Sequence, residues 1–378
     1  MLSGEYIWQL PDWPALRYDL AALAAPLAAV SQAQGRLLGR LTDVGLGPRD
    51  EASLAALTDD VIKTSAIEGE ALQPASVRSS LARRLGVDIG ALAPVDRHVE
   101  GVVDMVLDAT GHADAPLTEA RLFGWQAALF PTGHSGLTAI TTGGWRDDAQ
   151  GPMQVVSGPV GRQRVHFEAP PAARLPGDVA RFLAWVNEPA PTEPALLRAG
   201  LGHLWFVTLH PFDDGNGRLA RAVGDLLLAR ADGSPQRFYS LSAQIQRERA
   251  AYYDMLEQTQ KQGDLDATTW LAWFLQTLQA ALGQAHQTLD TVLHKARFWQ
   301  QLPAVALNER QVKVLNRLLD GFDGKLTSSK WAAIARCSAD TALRDLNDLV
   351  ARGLLQRSGA GGRSTSYELA SQPSSTGR

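Results

Sequence analysis

Apolar residues in this 378-residue chain recur mostly three and four positions apart, and strictly alternating runs are few. That period belongs to α-helices with one buried stripe, so a mainly α fold is expected. An aromatic lead (Tyr6, Trp8, Trp13, Tyr18) precedes an Ala/Leu helix running to Leu41. Helices are then predicted over 51–70, 75–85, 96–109 and 117–129, and after residue 170 over 176–187, 193–209, 217–231, 242–260 and 267–300. In the 51–70 helix Leu54, Leu57 and Val61 form a stripe, and Thr64 and Glu68, four apart, share a face of the last turn. The clearest β signal lies at Met153–Val155 and Arg164–Phe167, on either side of the turn-rich Gly158–Gly161.

From Leu307 the pattern changes. Asn308 can cap a helix to Leu319, and further helices fit Ser328–Arg336 and Ala339–Arg352. Two extended pieces follow, Leu354–Gln356 and Ser364–Leu369, joined by the glycine-rich 359–362. Three helices and such a hairpin suggest a winged helix-turn-helix. The organisation expected is a lead over 1–50, a catalytic block over 51–300, a winged helix over 307–370 and a disordered tail over 371–378.

Charge and composition narrow the class. The net charge is −4, so no general basic field draws the whole chain to nucleic acid. Residues 307–378 nevertheless hold eleven Lys or Arg against seven Asp or Glu, a net of +4. DNA binding through Thr341, Arg344 and Asn347 and protein docking are both open to that module. With 45% hydrophobic and 20% charged residues a disordered or collagenous chain is excluded. The one cysteine, Cys337, can form no internal disulfide, which fits a cytoplasmic setting. The early apolar run Leu20–Val30 is 11 residues broken by Pro26, well short of the ~20 that span a bilayer, and no membrane association is expected.

The stretch that carries chemistry is His210-Pro-Phe-Asp-Asp-Gly-Asn-Gly-Arg-Leu-Ala-Arg221. Pro211 disfavours a helical His210, leaving the imidazole at a helix mouth. Gly215 and Gly217 permit tight turns with exposed amides at the start of the next helix, where an anion is favoured. Arg218 and Arg221 can both point at phosphoryl oxygens, and Asp214 is a hard ligand placed to hold Mg²⁺. Asp213 reads as more solvated. His203, on the helix before, reads as a packed core residue, as do Trp270, Trp273 and Phe274.

These twelve residues match, at every fixed position, the core motif H-x-F-x-D/E-G-N-G-R-x-x-R, and the chain therefore resembles the Fic family. The resemblance extends to Gly202-His203-Leu-Trp-Phe206, to the hairpin and to Tyr252, Tyr253 and Trp270, covering roughly residues 50–280. It implies a Fic-type helical core with a β-hairpin flap, and transfer of AMP from ATP to a Ser, Thr or Tyr hydroxyl of a target protein. His210 would be the general base and Asp214 the Mg²⁺ ligand. Asp213, Gly215, Asn216, Gly217, Arg218 and Arg221 would line the phosphates, with Phe212 an inward anchor. Tyr252 or Tyr253 would border the adenine. The target would lie as an extended segment along the 153–167 flap.

A second match, Thr64-Ser-Ala-Ile-Glu68-Gly69, resembles the family's inhibitory motif S/T-x-x-x-E-G/N. It implies that Glu68 pairs with Arg221 and occupies the charge that the ATP γ-phosphate needs. ATP would still bind, with its α-phosphate misaligned. The competing readings are a DNA-binding regulator with a nucleotide-sensing Fic core, and a Fic-type enzyme that removes AMP. A homodimer is compatible with all three.

Overall fold

The computed structural model describes residues 6–42, 44–90, 92–159, 161–189, 192–302, 307–322, 324–358 and 365–370. The 371–378 tail, the 359–362 tip and Val160 at the other hairpin's tip lie outside them. The chain divides into two compact units, Met1–His286 and Gln287–Arg378.

In the first unit the lead makes a 3₁₀ turn at Ile7–Gln9, followed by α1 (Leu20–Thr42), α2 (Leu46–Ile67), α3 (Pro74–Leu85), α4 (Arg97–Gly111) and α5 (Glu119–Leu129). Two short antiparallel pairs come next: β1 (His134–Ser135) with β2 (Thr138–Ala139), then β3 (Gln154–Ser157) with β4 (Arg164–Glu168). Helices α6 (Leu175–Asn187), α7 (Ala195–Leu209), α8 (Asn216–Asp232), α9 (Leu241–Arg247) and α10 (Arg249–Lys261) follow, and α11 (Thr268–Gln301) begins in this unit and continues into the second from Gln287.

The centre of this unit is the α7–α8 hairpin. From Leu196 to Leu209 every residue but Arg198 is buried, and α8 is buried on nearly all sides to Ala229. These two helices are buried nearly all round, α8 with Asn216, Arg218, Arg221 and Asp225 among its buried residues, and the loop joining them holds the 210–215 segment. Helix α2 packs its Leu54, Leu57 and Val61 stripe inward, and the Ser240 hydroxyl that caps α9 also donates to buried Asp60 at 2.6 Å. Helices α4 and α5 cross so closely that a Cβ on Gly101 would overlap the Ala128 carbonyl. Gly101→Ala is therefore expected to destabilise this unit by about 1–3 kcal/mol. Thermal unfolding followed by circular dichroism checks this, and an unchanged midpoint would refute it.

The second unit contains α12 (Glu309–Leu319), α13 (Ser328–Ala335), α14 (Ala339–Ala351) and an antiparallel pair, β5 (Leu355–Ser358) with β6 (Ser366–Leu369). Each helix opens on a capped turn: Asn308, Thr327 and Ser338 side chains accept from Gln311, Lys330 and Thr341 amides. Trp331, Leu315, Leu346, Leu349 and Tyr367 form its core.

Two features depart from the sequence expectation. The helix over 242–260 is two helices, broken at Glu248 (φ −112°, ψ 30°). No Gly or Pro marks the break. Arg249, the first residue after it, donates from Nε to the Ile67 carbonyl at 2.6 Å, a long-range bond that composition does not reveal. The β1–β2 pair is likewise new, because two-residue strands are too short to show alternation. Among the described residues no helix is long and apolar enough to cross a membrane.

Candidate active site

Helix α7 ends at His210, which takes a left-handed conformation (φ 48°, ψ 54°) while its amide still closes on the Phe206 carbonyl at 3.2 Å. For a side-chain-bearing residue this conformation costs on the order of 1–3 kcal/mol and persists only where the surroundings over-determine it. Arg146 supplies that constraint. Its Nε donates to the His210 carbonyl at 2.7 Å and its backbone N–H to the Pro211 carbonyl at 3.1 Å. The His210 Nδ1 lies 3.1 Å from the Val207 carbonyl, which assigns the proton to Nδ1 and leaves Nε2 as the free acceptor. Burial pushes the imidazole below its ordinary value, and the charge of Arg146 adds to this, while the Val207 carbonyl, Glu68 and Asp214 pull the other way.

Beyond His210 the loop is held from inside. Phe212 is fully buried, with its ring 5.1 Å from that of Trp145, and both its backbone N–H and its carbonyl are bonded to the Asn216 side chain, at 3.0 and 2.8 Å. The Asn216 amide thus holds the loop instead of pointing at a ligand. Asp213 accepts from the Thr141 amide at 2.8 Å. The two Asp214 oxygens accept from the Gly215 amide, at 2.6 Å, and from the Ser135 hydroxyl on β1. Gly215 (φ +89°) turns the chain into α8, and a Cβ there would press on Phe130 at 3.0 Å. Gly217 faces Glu68 so closely that a Cβ would displace it.

On α8, Arg218 and Arg221 are each 2% exposed, so both charges are desolvated. Arg221 is gripped by the end of α2: Nε donates to the Thr64 hydroxyl at 2.8 Å, and Nη2 to the Thr64 carbonyl at 2.9 Å and to Glu68 at 2.8 Å. Burial opposes its charge, but Glu68 beside it holds the guanidinium above its ordinary value. Arg218 donates to Glu70 at 2.7 Å, and Glu70 also takes His98 at 3.1 Å. Two buried donors, Arg218 Nε and Arg221 Nη1, have no partner among the described residues. An arriving polyanion would find them ready.

The two tyrosines separate. Tyr252 is 1% exposed and its hydroxyl meets buried His203 at 2.9 Å, so it is a wall behind the site, not a lining residue. Burial, with Arg221 adding, pushes His203 down to about 3, so it stays neutral in the core. Tyr253 is half-buried and reaches Glu68 at 3.3 Å. Trp270 and Phe274 are core, and Trp273 is half-buried beside them.

With that geometry in place, comparison with known proteins is decisive at the level of the domain. Residues 116–228 match the Fic/DOC family model. The chain carries a Fic/DOC family domain. Residues 6–87 match a second model, a domain of unknown function, DUF4172. The chain is 32% identical over 130 residues to a uridine 5'-monophosphate transferase of Xanthomonas campestris pv. campestris, covering 31% of this chain and 22% of that relative. The chain thus spans about a fifth of that curated relative. Its fold is similar to a Fic family protein from Desulfovibrio desulfuricans G20 (20% identity, 97% of this chain, 100% of that one, TM-score 0.55). It is also similar to a Fic domain containing signaling protein from Bacteroides thetaiotaomicron (17% identity, 71% of this chain, 97% of that one, TM-score 0.52).

The Fic model includes the whole 210–221 motif, whereas Thr64, Glu68 and Glu70 fall within the DUF4172 segment. Sequence reading singled out Thr64, Glu68, His210, Asp214, Arg218 and Arg221, and these come together here. It missed Glu70, Ser135 and Arg146. Glu70, two residues past Glu68, was the one with a local signal. Among the described residues no group of three or more His, Cys, Asp or Glu side chains could hold a metal. Asp214, a hard carboxylate whose oxygens accept from the Gly215 amide and the Ser135 hydroxyl, is the type of residue that would hold a phosphate-bound Mg²⁺ taking its other ligands from water and substrate.

Proposed function

We infer that the Fic domain transfers AMP from ATP to a hydroxyl side chain of a protein and is restrained by its own α2. The observation that carries this reading is the loop geometry at 210–221. A half-buried imidazole with a free Nε2 stands at the mouth of a helix whose first turns hold two incompletely bonded arginines. In the reaction the target hydroxyl oxygen attacks the α-phosphorus, the bond to pyrophosphate breaks, and the hydroxyl proton passes to His210 Nε2. Gly215, Gly217, Arg218 and Arg221 would bind the phosphates, and Tyr253 would stand beside the nucleotide. Phe212 and Asn216 keep the loop in shape. Mg²⁺ on Asp214 would neutralise phosphate charge. The β3–β4 hairpin offers open strand edges to which an extended target segment could add.

Glu68 on Arg221 competes with the γ-phosphate for the same guanidinium, which supports the restrained form of the reading. The second unit we read as a winged helix in which α14 presents Thr341, Arg344 and Asn347, the way such modules reach a DNA major groove.

The donor is the point on which a relative named as a UMP transferase bears. The Glu68→Gly chain, incubated with Mg²⁺ and either ATP or UTP and weighed intact, is expected to gain one AMP from ATP. A UMP adduct alone would move the donor to UTP. Loss of AMP from a pre-modified protein, with no adduct formed, would make the enzyme a remover of AMP. No change in any arm would sink the nucleotidyl-transfer reading.

A further inference from the structure

Arg146 lies outside the 210–221 motif, in the segment between the two β-hairpins, and is 3% exposed. A buried guanidinium needs partners, and this one has three, one in its own segment and two elsewhere in the fold. Nε donates to the His210 carbonyl at 2.7 Å, Nη2 to the Pro170 carbonyl at 2.6 Å, and Nη1 to Asp148 at 2.8 Å. Asp148 in turn accepts from the Ala172 amide at 2.6 Å. Pro170 lies two residues past the end of β4, so one planar side chain joins the base of the flap to the backbone of the imidazole. The flap base has a second, independent anchor: the Trp8 indole donates to the Glu168 carbonyl at 2.7 Å.

We propose that Arg146 is a positioning residue for the transfer reaction, fixing the left-handed His210 so that Nε2 faces the incoming hydroxyl and setting the flap at a constant distance from it. This rests on His210 being the base. The inference follows from geometry: a left-handed residue before proline relaxes if its carbonyl is released, and the ring moves with it. A displacement of about 1 Å at a reacting group costs roughly a hundredfold in rate. Lysine cannot replace the fork, because one ammonium does not span carbonyls held by separate nitrogens.

Arg146 also acts on His210 through its charge. The charged groups that act on the ring are Arg146, Glu68 from α2 and Asp214 from the loop. Removing the cation favours the protonated ring, and since only neutral His210 accepts a proton, the acid limb of the rate profile moves to higher pH.

The test uses the full-length Glu68→Gly chain with auto-modification by ATP as readout. Arg146→Gln is expected to lower the rate at saturating ATP about a hundredfold with ATP half-saturation within about twofold, and to move the acid limb upward. Arg146→Lys should restore the limb but not the rate. Trp8→Phe, which releases only the flap anchor, should leave the limb in place. A folded Arg146→Lys or Arg146→Gln chain with a rate within about threefold of its parent overturns the proposal, and Arg146→Lys decides if the glutamine variant does not fold. If Glu68→Gly shows no transfer, the functional reading has failed separately. The Arg146 proposal is then judged by the NMR titration of the His210 ring, assigned by its absence in His210→Ala. An unmoved midpoint in Arg146→Gln refutes it.

Discussion

His210→Ala, placed in the Glu68→Gly chain, is expected to lower AMP transfer by about 10²–10⁴-fold, the usual contribution of a positioned general base. The fold should survive. His210 sits at a helix end, and the loop beyond it is held by Phe212, Asn216 and Arg146 without help from the imidazole. The ring makes one bond to its own chain, Nδ1 to the Val207 carbonyl. Binding of ATP should change little, because the groups proposed to bind the phosphates lie at or in the first turns of α8, so the loss should fall on the rate at saturating ATP. The pH dependence follows from burial. A histidine pushed below the ordinary value of about 6.5 is neutral, and competent as a base, throughout the neutral range. Transfer by Glu68→Gly should therefore be flat near pH 7 and fall only on the acid side of that value. Quantifying labelled protein over a pH series checks both statements. Equal labelling with and without the imidazole would remove His210 from the reaction.

Glu68→Gly alone is expected to raise transfer by about ten- to hundredfold over the parent chain. Two unit charges 4 Å apart interact by about 1 kcal/mol in water and about 4 kcal/mol at a protein surface. Glu68 is 30% exposed, between those cases. Its carboxylate repels a γ-phosphate that would share Arg221, and removing it lifts that penalty. Arg221 is not set loose by the change, because Thr64 still bonds it twice. Glu68→Gln separates charge from shape: it should recover much of the gain if repulsion dominates, and little if the side chain simply fills the γ-phosphate position. Initial rates at several ATP concentrations distinguish them. A Glu68→Gly chain no faster than its parent would refute the restraint.

The twelve-residue motif was legible because its parts are local. Helix end, turn and helix start follow from Pro211, Gly215 and Gly217, and a capped turn carries its own signal in three or four residues. The same locality made the Asn308 cap of α12 readable. What the sequence could not reveal are bonds between distant residues. Arg146 meets His210 across 64 positions and Glu70 meets Arg218 across 148, and nothing at either end announces the other. Two residues that the resemblance assigned to the nucleotide are bonded within the protein. The Asn216 side chain is taken up by the Phe212 peptide and the Tyr252 hydroxyl by His203, bonds that a motif does not announce. The break at Glu248 was invisible because a tertiary bond from Arg249, not a helix-breaking residue, accompanies it.

The ion pair between Glu68 and Arg221 closes within a single chain, across 153 residues of sequence. Its occupancy is set by an effective local concentration that dilution does not change, unlike a restraint supplied by a separate subunit. Release therefore has to be thermodynamic: whatever frees Arg221 must bind the opened arrangement more tightly than the closed one, and can shift the balance by no more than that difference. On the proposed reading the nucleotide would itself be such a ligand, so the opened fraction should rise with its concentration, and the restraint would work as a threshold on ATP instead of an absolute block.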